Sequence, residues 1–140
     1  MNDHRASHLS LLKGLLAFSI VSTGLHFTHN FIQVDEYPGG PVSDTATQIA
    51  ILVSWPLFTA IGLFGYRLYA QQRYSPAHVC LASYSVLGLI TPAHFLSGNP
   101  DIPLLFYVTI FTDGLAGASI LGFTIWSARA KTGAPVPARS

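Results

Sequence analysis

Four apolar stretches, at 8–32, 47–69, 76–95 and 103–127, constrain this chain more than anything else in it. At about 1.5 Å of rise per residue, each is long enough as a helix to cross a hydrocarbon layer about 30 Å thick. Only a helix satisfies its own backbone N–H and C=O groups over such a length in lipid. The expected fold is therefore all-α: an integral membrane four-helix transmembrane bundle, one domain over residues 1–140 with a polar tail at 128–140. Composition agrees. Only 9% of the residues are charged, against about 25% in an ordinary soluble domain, too few to cover a soluble surface. A formal charge of +1 gives no electrostatic reason for a nucleic-acid partner. The single cysteine, Cys80, excludes an internal disulfide and a Cys-based zinc cluster. A cleaved signal peptide is a poor reading of the first stretch, because Asp3 stands close to Arg5 and no small-x-small site follows.

The punctuation between the stretches is clear. Thr45 with Gln48 has the form of a capping box opening the second helix, and Ser75-Pro76 that of an N-cap followed by a first-turn proline. Residues 37–41 (YPGGP) and 97–100 (SGNP) are turn-forming breaks. Pro56 and Pro92 each remove an intrahelical hydrogen bond and are expected to kink the second and third helices.

Orientation follows from the cations. Arg5, Lys13, Arg67, Arg73, Arg129, Lys131 and Arg139 all fall on one side of a four-span topology, while the first and third loops carry only Asp35, Glu36, Asp44 and Asp101. The positive-inside rule makes the basic side, with both termini, cytoplasmic. Tyr66, Tyr69, Tyr74 and Trp126 are then expected in an inner aromatic belt, and Phe31, Tyr37, Phe95, Phe106 and Tyr107 in an outer one.

That topology gives meaning to residues 25–30, LHFTHN. His26 and His29 share one face near the outer end of the first helix, at i, i+3 spacing, with Asn30 behind them. The third helix also runs outward and ends in TPAHF, which brings His94 to the same level. Asp113 lies about 15 Å inside the fourth helix at 1.5 Å per residue. His4, His8 and His78 belong to the cytoplasmic end and are set apart. Ser19, Ser22, His26, His29 and Gln33 form a polar stripe on the first helix; Gln48, Trp55, Thr59, Gly62 and Tyr66 recur on the second, Ser83, Thr91 and His94 on the third, and Thr109, Asp113 and Gly117 on the fourth. Such stripes face other helices or a wet cavity rather than lipid. Gly114, Ala118 and Gly122 make a small-xxx-small ladder for close helix approach.

Several chemistries fit this pattern. Imidazole is a good ligand for zinc, copper or iron, so His26, His29 and His94 are candidate metal ligands, with Asn30 and Asp113 next to them. Depth works against His94 and Asp113 binding one ion, and Asp113 is placed to meet His26 from below. A b-type haem between His26 or His29 and His94 is the least favoured occupant. The plain structural alternative is that the histidines are interfacial or bonded to neighbouring helices. Asp113 resists that alternative, because an ionised carboxylate near mid-bilayer costs at least about 2.5–3.5 kcal/mol.

Three function classes follow. One is a binding protein for a transition metal or a small amphipathic ligand in the outer half of the bundle. Another is an accessory subunit packing on a larger membrane complex, or a homo-oligomer, through Gly114, Ala118 and Gly122. The third is an isomerase-type membrane enzyme on a lipid-like substrate, with Asp113 and His26 as catalytic acid and base. The order His-x-x-His-Asn, Tyr-Pro, Pro-Ala-His-Phe resembles that of small bacterial membrane proteins, which implies the bacterial cytoplasmic membrane as location and no activity.

Overall fold

The computed structural model describes residues 2–36, 42–96 and 102–132, without the side chains of residues 2–5, 94 and 131–132. Among these residues the chain forms four long helices: α1 (Asn2–Ile32), α2 (Asp44–Ala70), α3 (Tyr74–Ile90) and α4 (Leu104–Thr132). Short 3-10 turns at Val34–Glu36 and Thr91–Leu96 follow α1 and α3. All four helices are long and apolar enough to cross a membrane. The turns expected at 37–41 and 97–100, the belt position of Tyr37, and the tail beyond residue 132 lie outside the described residues.

Side-chain contacts fix the topology. Gln48 Nε2 donates to the Phe31 carbonyl at 2.9 Å, and Trp55 Nε1 to Thr23 Oγ1 at 3.2 Å, so α2 runs back along α1. A Cβ on Gly62 would meet the Tyr84 ring, and one on Gly65 would meet Cys80, which sets α3 antiparallel to α2. At one end of α4 the Phe106 ring stacks on His29, and near the other Trp126 packs on His8, so α4 returns antiparallel to α1. The bundle is up-down-up-down, with α1 and α3 also touching across the diagonal. The first turn of α1 and the last turn of α4 lie at one end, which we call the terminal end; the connections α1–α2 and α3–α4 lie at the other, the loop end.

Several boundaries differ from expectation for local reasons. Helix α1 begins at Asn2 rather than near His8, since residues 2–7 contain neither Gly nor Pro to stop it. The cap of α2 is Ser43, whose side chain accepts from the Ala46 N–H at 3.4 Å. Thr45 and Gln48 therefore form no capping box; Thr45 is already helical, and Gln48 reaches across to α1 instead. Nor does Ser75 cap α3, which starts at Tyr74 with Arg73 at the cap, placing Pro76 in the first turn where its missing N–H costs no bond. The α2–α3 link closes as a Schellman motif: Gln72 N–H donates to Tyr69 O at 3.0 Å and Arg73 N–H to Leu68 O at 2.9 Å. Gln72 takes the left-handed position, φ 63°, usually held by glycine. Helix α2 is continuous through Pro56, whereas α3 gives way at Thr91-Pro92 to the 3-10 turn.

The apolar core occupies the terminal half. Leu12, Leu16, Leu68, Tyr69, Ala77, Leu81, Tyr84, Ile120 and Phe123 form one buried cluster. Tyr69 thus belongs to the core and not to the inner belt, because its position on α2 turns it between the other helices. Helices α3 and α4 approach most closely at Gly88 and Gly117. A Cβ on Gly88 would run into the Asp113 carbonyl oxygen, and one on Gly117 would lie 2.7 Å from both Leu89 N and Ser85 O. The ladder expected to make such a contact does not make it within the bundle. Gly114 meets only the Pro92 ring, Ala118 is exposed, and a Cβ on Gly122 would find nothing within 4 Å. Ser83 likewise faces outward, and the buried serine of α3 is Ser85.

Candidate functional site

In the loop half the interior changes character. Ser19, Ser22, Thr23, His26, His29 and Asn30 of α1 are all buried, so the polar stripe does face the bundle. Residues three and four apart on a helix lie on one face, and α4 covers this one. Asp113, on the facing side of α4, is 0% exposed.

The contacts of Asp113 are specific. Ser22 Oγ donates to Asp113 Oδ1 at 2.5 Å and also lies 2.9 Å from Thr112 Oγ1. Thr112 in turn donates to the Thr109 carbonyl at 3.1 Å. The row can be ordered in two senses. With the carboxyl ionised, Ser22 donates to it; with the carboxyl protonated, its O–H can donate to Ser22, Ser22 to Thr112, and Thr112 to the Thr109 carbonyl. The second carboxyl oxygen, Oδ2, is buried and has no hydrogen-bond partner among the described residues. Asp113 is therefore held by Ser22, not by His26 as expected. The rotation of α1 against α4 puts Ser22 opposite Asp113 and raises His26 one turn above it.

His26 is 1% exposed. Asn30 Nδ2 donates to His26 Nε2 at 3.0 Å, which leaves the proton of the neutral ring on Nδ1, 3.5 Å from Thr109 Oγ1. Thr109 Oγ1 donates to the Phe106 carbonyl at 2.8 Å. The His26 and Asp113 groups thus share Thr109, one through its hydroxyl and the other through its carbonyl. His29 donates through Nε2 to Gln33 Oε1 at 2.7 Å and stacks on Phe106, ring centroids 3.4 Å apart. Below Asp113, Tyr84 donates to Ser19 Oγ at 3.0 Å, with its ring in the space that Gly62 leaves open.

The expected site residues are partly brought together. Along one buried face between α1 and α4, Asp113 lies opposite Ser22, His26 follows one turn toward the loop end, and His29 and Asn30 come next. His94 lies in the 3-10 turn after α3, and its side chain is outside the described residues. Among the described residues no three of His, Cys, Asp and Glu are grouped to hold a metal ion. Sequence reasoning missed Thr112 and Tyr84. A signal for Tyr84 was present: Ala77, Leu81, Tyr84, Gly88 and Thr91 recur at four and three, the spacing of a buried face.

Two further features complete the picture. At the terminal end, His78 Nε2 is 2.9 Å from Ser127 Oγ, and Tyr69 OH is 3.5 Å from His8 Nδ1. The histidines set apart in the sequence therefore join a second polar cluster at the opposite end. An open apolar groove of about 660 Å³ runs between α1 and α2, with Leu25, Thr28, Leu52 and Trp55 in its walls. At 100° per residue its α1 face is nearly opposite the His26 stripe, so the groove is separate from the polar layer. No protein-family model, curated protein or solved structure matches this chain.

Proposed function

We propose that this chain is a multi-pass membrane binding protein, its termini cytoplasmic, that receives the polar head of a small amphipathic molecule in the outer half of the bundle. Asp113 is the anchor, with Ser22, His26 and Asn30 around it. The observation that carries this reading is Asp113 Oδ2, a buried acceptor or donor position unoccupied by any described residue. A ligand hydroxyl, amine or amide completes it.

Energetics favour a functional over a structural origin for the layer. Interhelical hydrogen bonds in a membrane average about 0.6 kcal/mol and reach about 1.7. That is less than the roughly 2.5–3.5 kcal/mol cost of an ionised acid at the centre of a span. In the terminal half of the same bundle the helices pack mainly through apolar and aromatic side chains, Leu12, Leu16, Leu81, Ile120 and Phe123 among them. Metal binding by His26, His29 and His94 has less support, because Nε2 of each described ring is turned to an amide one helical turn on, Asn30 or Gln33. The accessory-subunit reading draws on the outward-facing Ala118 and Gly122, which leave a smooth stripe on α4.

Solvent extraction and mass spectrometry of the detergent-purified protein, with elemental analysis in parallel, test the proposal. The expected result is one amphipathic species near one per chain, lost in Asp113→Val, with no zinc, copper or iron. A stoichiometric metal replaces this reading with the histidine site. Equal extracts from the wild type and the variant remove it.

A further inference from the structure

We infer that the polar layer exchanges with one side of the membrane only, the loop end, because the same bundle seals it from the terminal end. The inference deepens the binding reading above and rests on it for its purpose, though not for its geometry.

Polar side chains continue from Asp113 toward the loop end. Ser22, Thr112, Thr109, His26 and Asn30 follow one another within hydrogen-bond distance or one helical turn, and His29 with Gln33 completes the series. From Ser22 to Gln33 the α1 backbone rises about 16 Å at 1.5 Å per residue, which takes the row to the end of that helix. Thr109 and Gln33 are only half-buried. A polar molecule moving along this face finds a hydrogen-bonding group at each turn.

Toward the terminal end the series stops. Tyr84 closes it with a fully buried ring whose hydroxyl is committed to Ser19. Beneath lie Leu12, Leu16, Leu81, Ile120 and Phe123, none more than 4% exposed. Between Ser19 and Leu12 this layer is about 10 Å thick along α1 at 1.5 Å per residue. The buried hydroxyls near that level do not bridge it: Ser85 donates to the Ala82 carbonyl and Thr124 to the Ile120 carbonyl, each on its own helix. Water or a polar head entering the layer would lose hydrogen bonds that nothing there replaces. Only beyond it do His8, Tyr69, His78 and Ser127 begin the second polar cluster. The polar row is therefore blind at the terminal end and is not a path across the membrane.

Cysteine accessibility reads this directly. In a Cys80→Ala background, Val42→Cys and Gln72→Cys, both at exposed positions, mark the loop and terminal sides of sealed vesicles toward a membrane-impermeant thiosulfonate. Ser22→Cys is expected to react from the Val42 side and not from the Gln72 side, and Leu16→Cys from neither. Thr112→Cys is a second probe of the same level, should Ser22→Cys fail to fold. Reaction of either probe from the Gln72 side, from both sides, or from neither overturns the inference. One-sided labelling with no extractable ligand removes the binding reading and leaves the one-sided polar row standing; a retained ligand with two-sided labelling does the reverse.

Discussion

A buried acid with one oxygen bonded and the other open makes Ser22 and Asp113 a coupled pair. Removing Ser22 alone leaves both carboxyl oxygens without a partner among the described residues. A buried polar group left in that state costs about 1–3 kcal/mol. Replacing both partners by apolar groups removes the need and can be nearly neutral. The prediction is non-additive: Ser22→Ala destabilises the purified protein by about 1–3 kcal/mol, while Ser22→Ala/Asp113→Val recovers most of that loss in detergent unfolding. A double variant at least as unstable as Ser22→Ala would mean that Asp113 holds the helices together and that the layer is structural. That His26, Asn30 and Asp113 would be buried between helices was legible in the sequence, because they are polar side chains in apolar runs. Which of them meet was not. A helix turns 100° per residue, so a modest rotation of α1 against α4 exchanges His26 for Ser22 as the partner of Asp113.

Helix packing here depends on Gly117, which the sequence places on the inward stripe of the fourth helix, and on Gly88, which pattern reading passes over. Gly114, Ala118 and Gly122 have the spacing of a packing ladder, yet Gly117 and Gly88 make the backbone contact. Spacing identifies a small-residue stripe but not which of its members the partner helix meets: Gly114 and Gly117 share a face, and Gly117 makes the backbone contact. Gly88→Ala forces its new methyl against the Asp113 carbonyl, so α3 and α4 must separate. Overpacking of this kind costs about 1–3 kcal/mol, and backbone against backbone places it at the upper end. Gly122→Ala, with open space around the methyl, is expected to be neutral or to stabilise by up to about 1 kcal/mol through helix propensity. Similar losses in both variants, measured side by side by thermal unfolding, would contradict the packing described. The α2–α3 link offers a gain. Gln72 is held at a positive φ that costs an L-residue about 1–2 kcal/mol, and no glycine in the sequence announces the turn. Gln72→Gly should raise stability by about 1 kcal/mol with no change in ligand content. The four spans themselves were legible, since length and hydropathy alone set them. The cap of α2 depended on a single hydrogen bond that a pattern does not encode, whereas Pro92 marked where α3 gives way to the 3-10 turn.

At the scale of the whole molecule, two asymmetries coincide. Between the polar layer and the second polar cluster at the terminal end the interior is apolar, and every Lys and Arg lies in the terminal half or in the tail beyond it. Lys and Arg in short loops are retained on the cytoplasmic side, which fixes how a multi-pass chain inserts. On the orientation proposed above, the same charge pattern sets which compartment the polar row faces. Weakening the charge bias, from seven basic residues against none to five against two, should invert a fraction of the molecules without altering the geometry of the site. Arg67→Gln and Arg73→Gln, combined with Asp35→Lys and Glu36→Lys, move basic residues from the α2–α3 link to the α1–α2 loop while leaving every residue of the polar layer in place. In cells, Val42→Cys of the unaltered chain should be labelled from outside by an impermeant thiol reagent and Gln72→Cys should not. In the charge-swapped chain a substantial fraction of Gln72→Cys should become reactive from outside, and reaction at Ser22→Cys should follow Val42→Cys in both backgrounds. Equal labelling of Val42→Cys and Gln72→Cys in the unaltered chain would mean that the cations do not set its direction. Ser22→Cys tracking Gln72→Cys would mean that the dry layer at Leu12, Leu16 and Phe123 does not close the site.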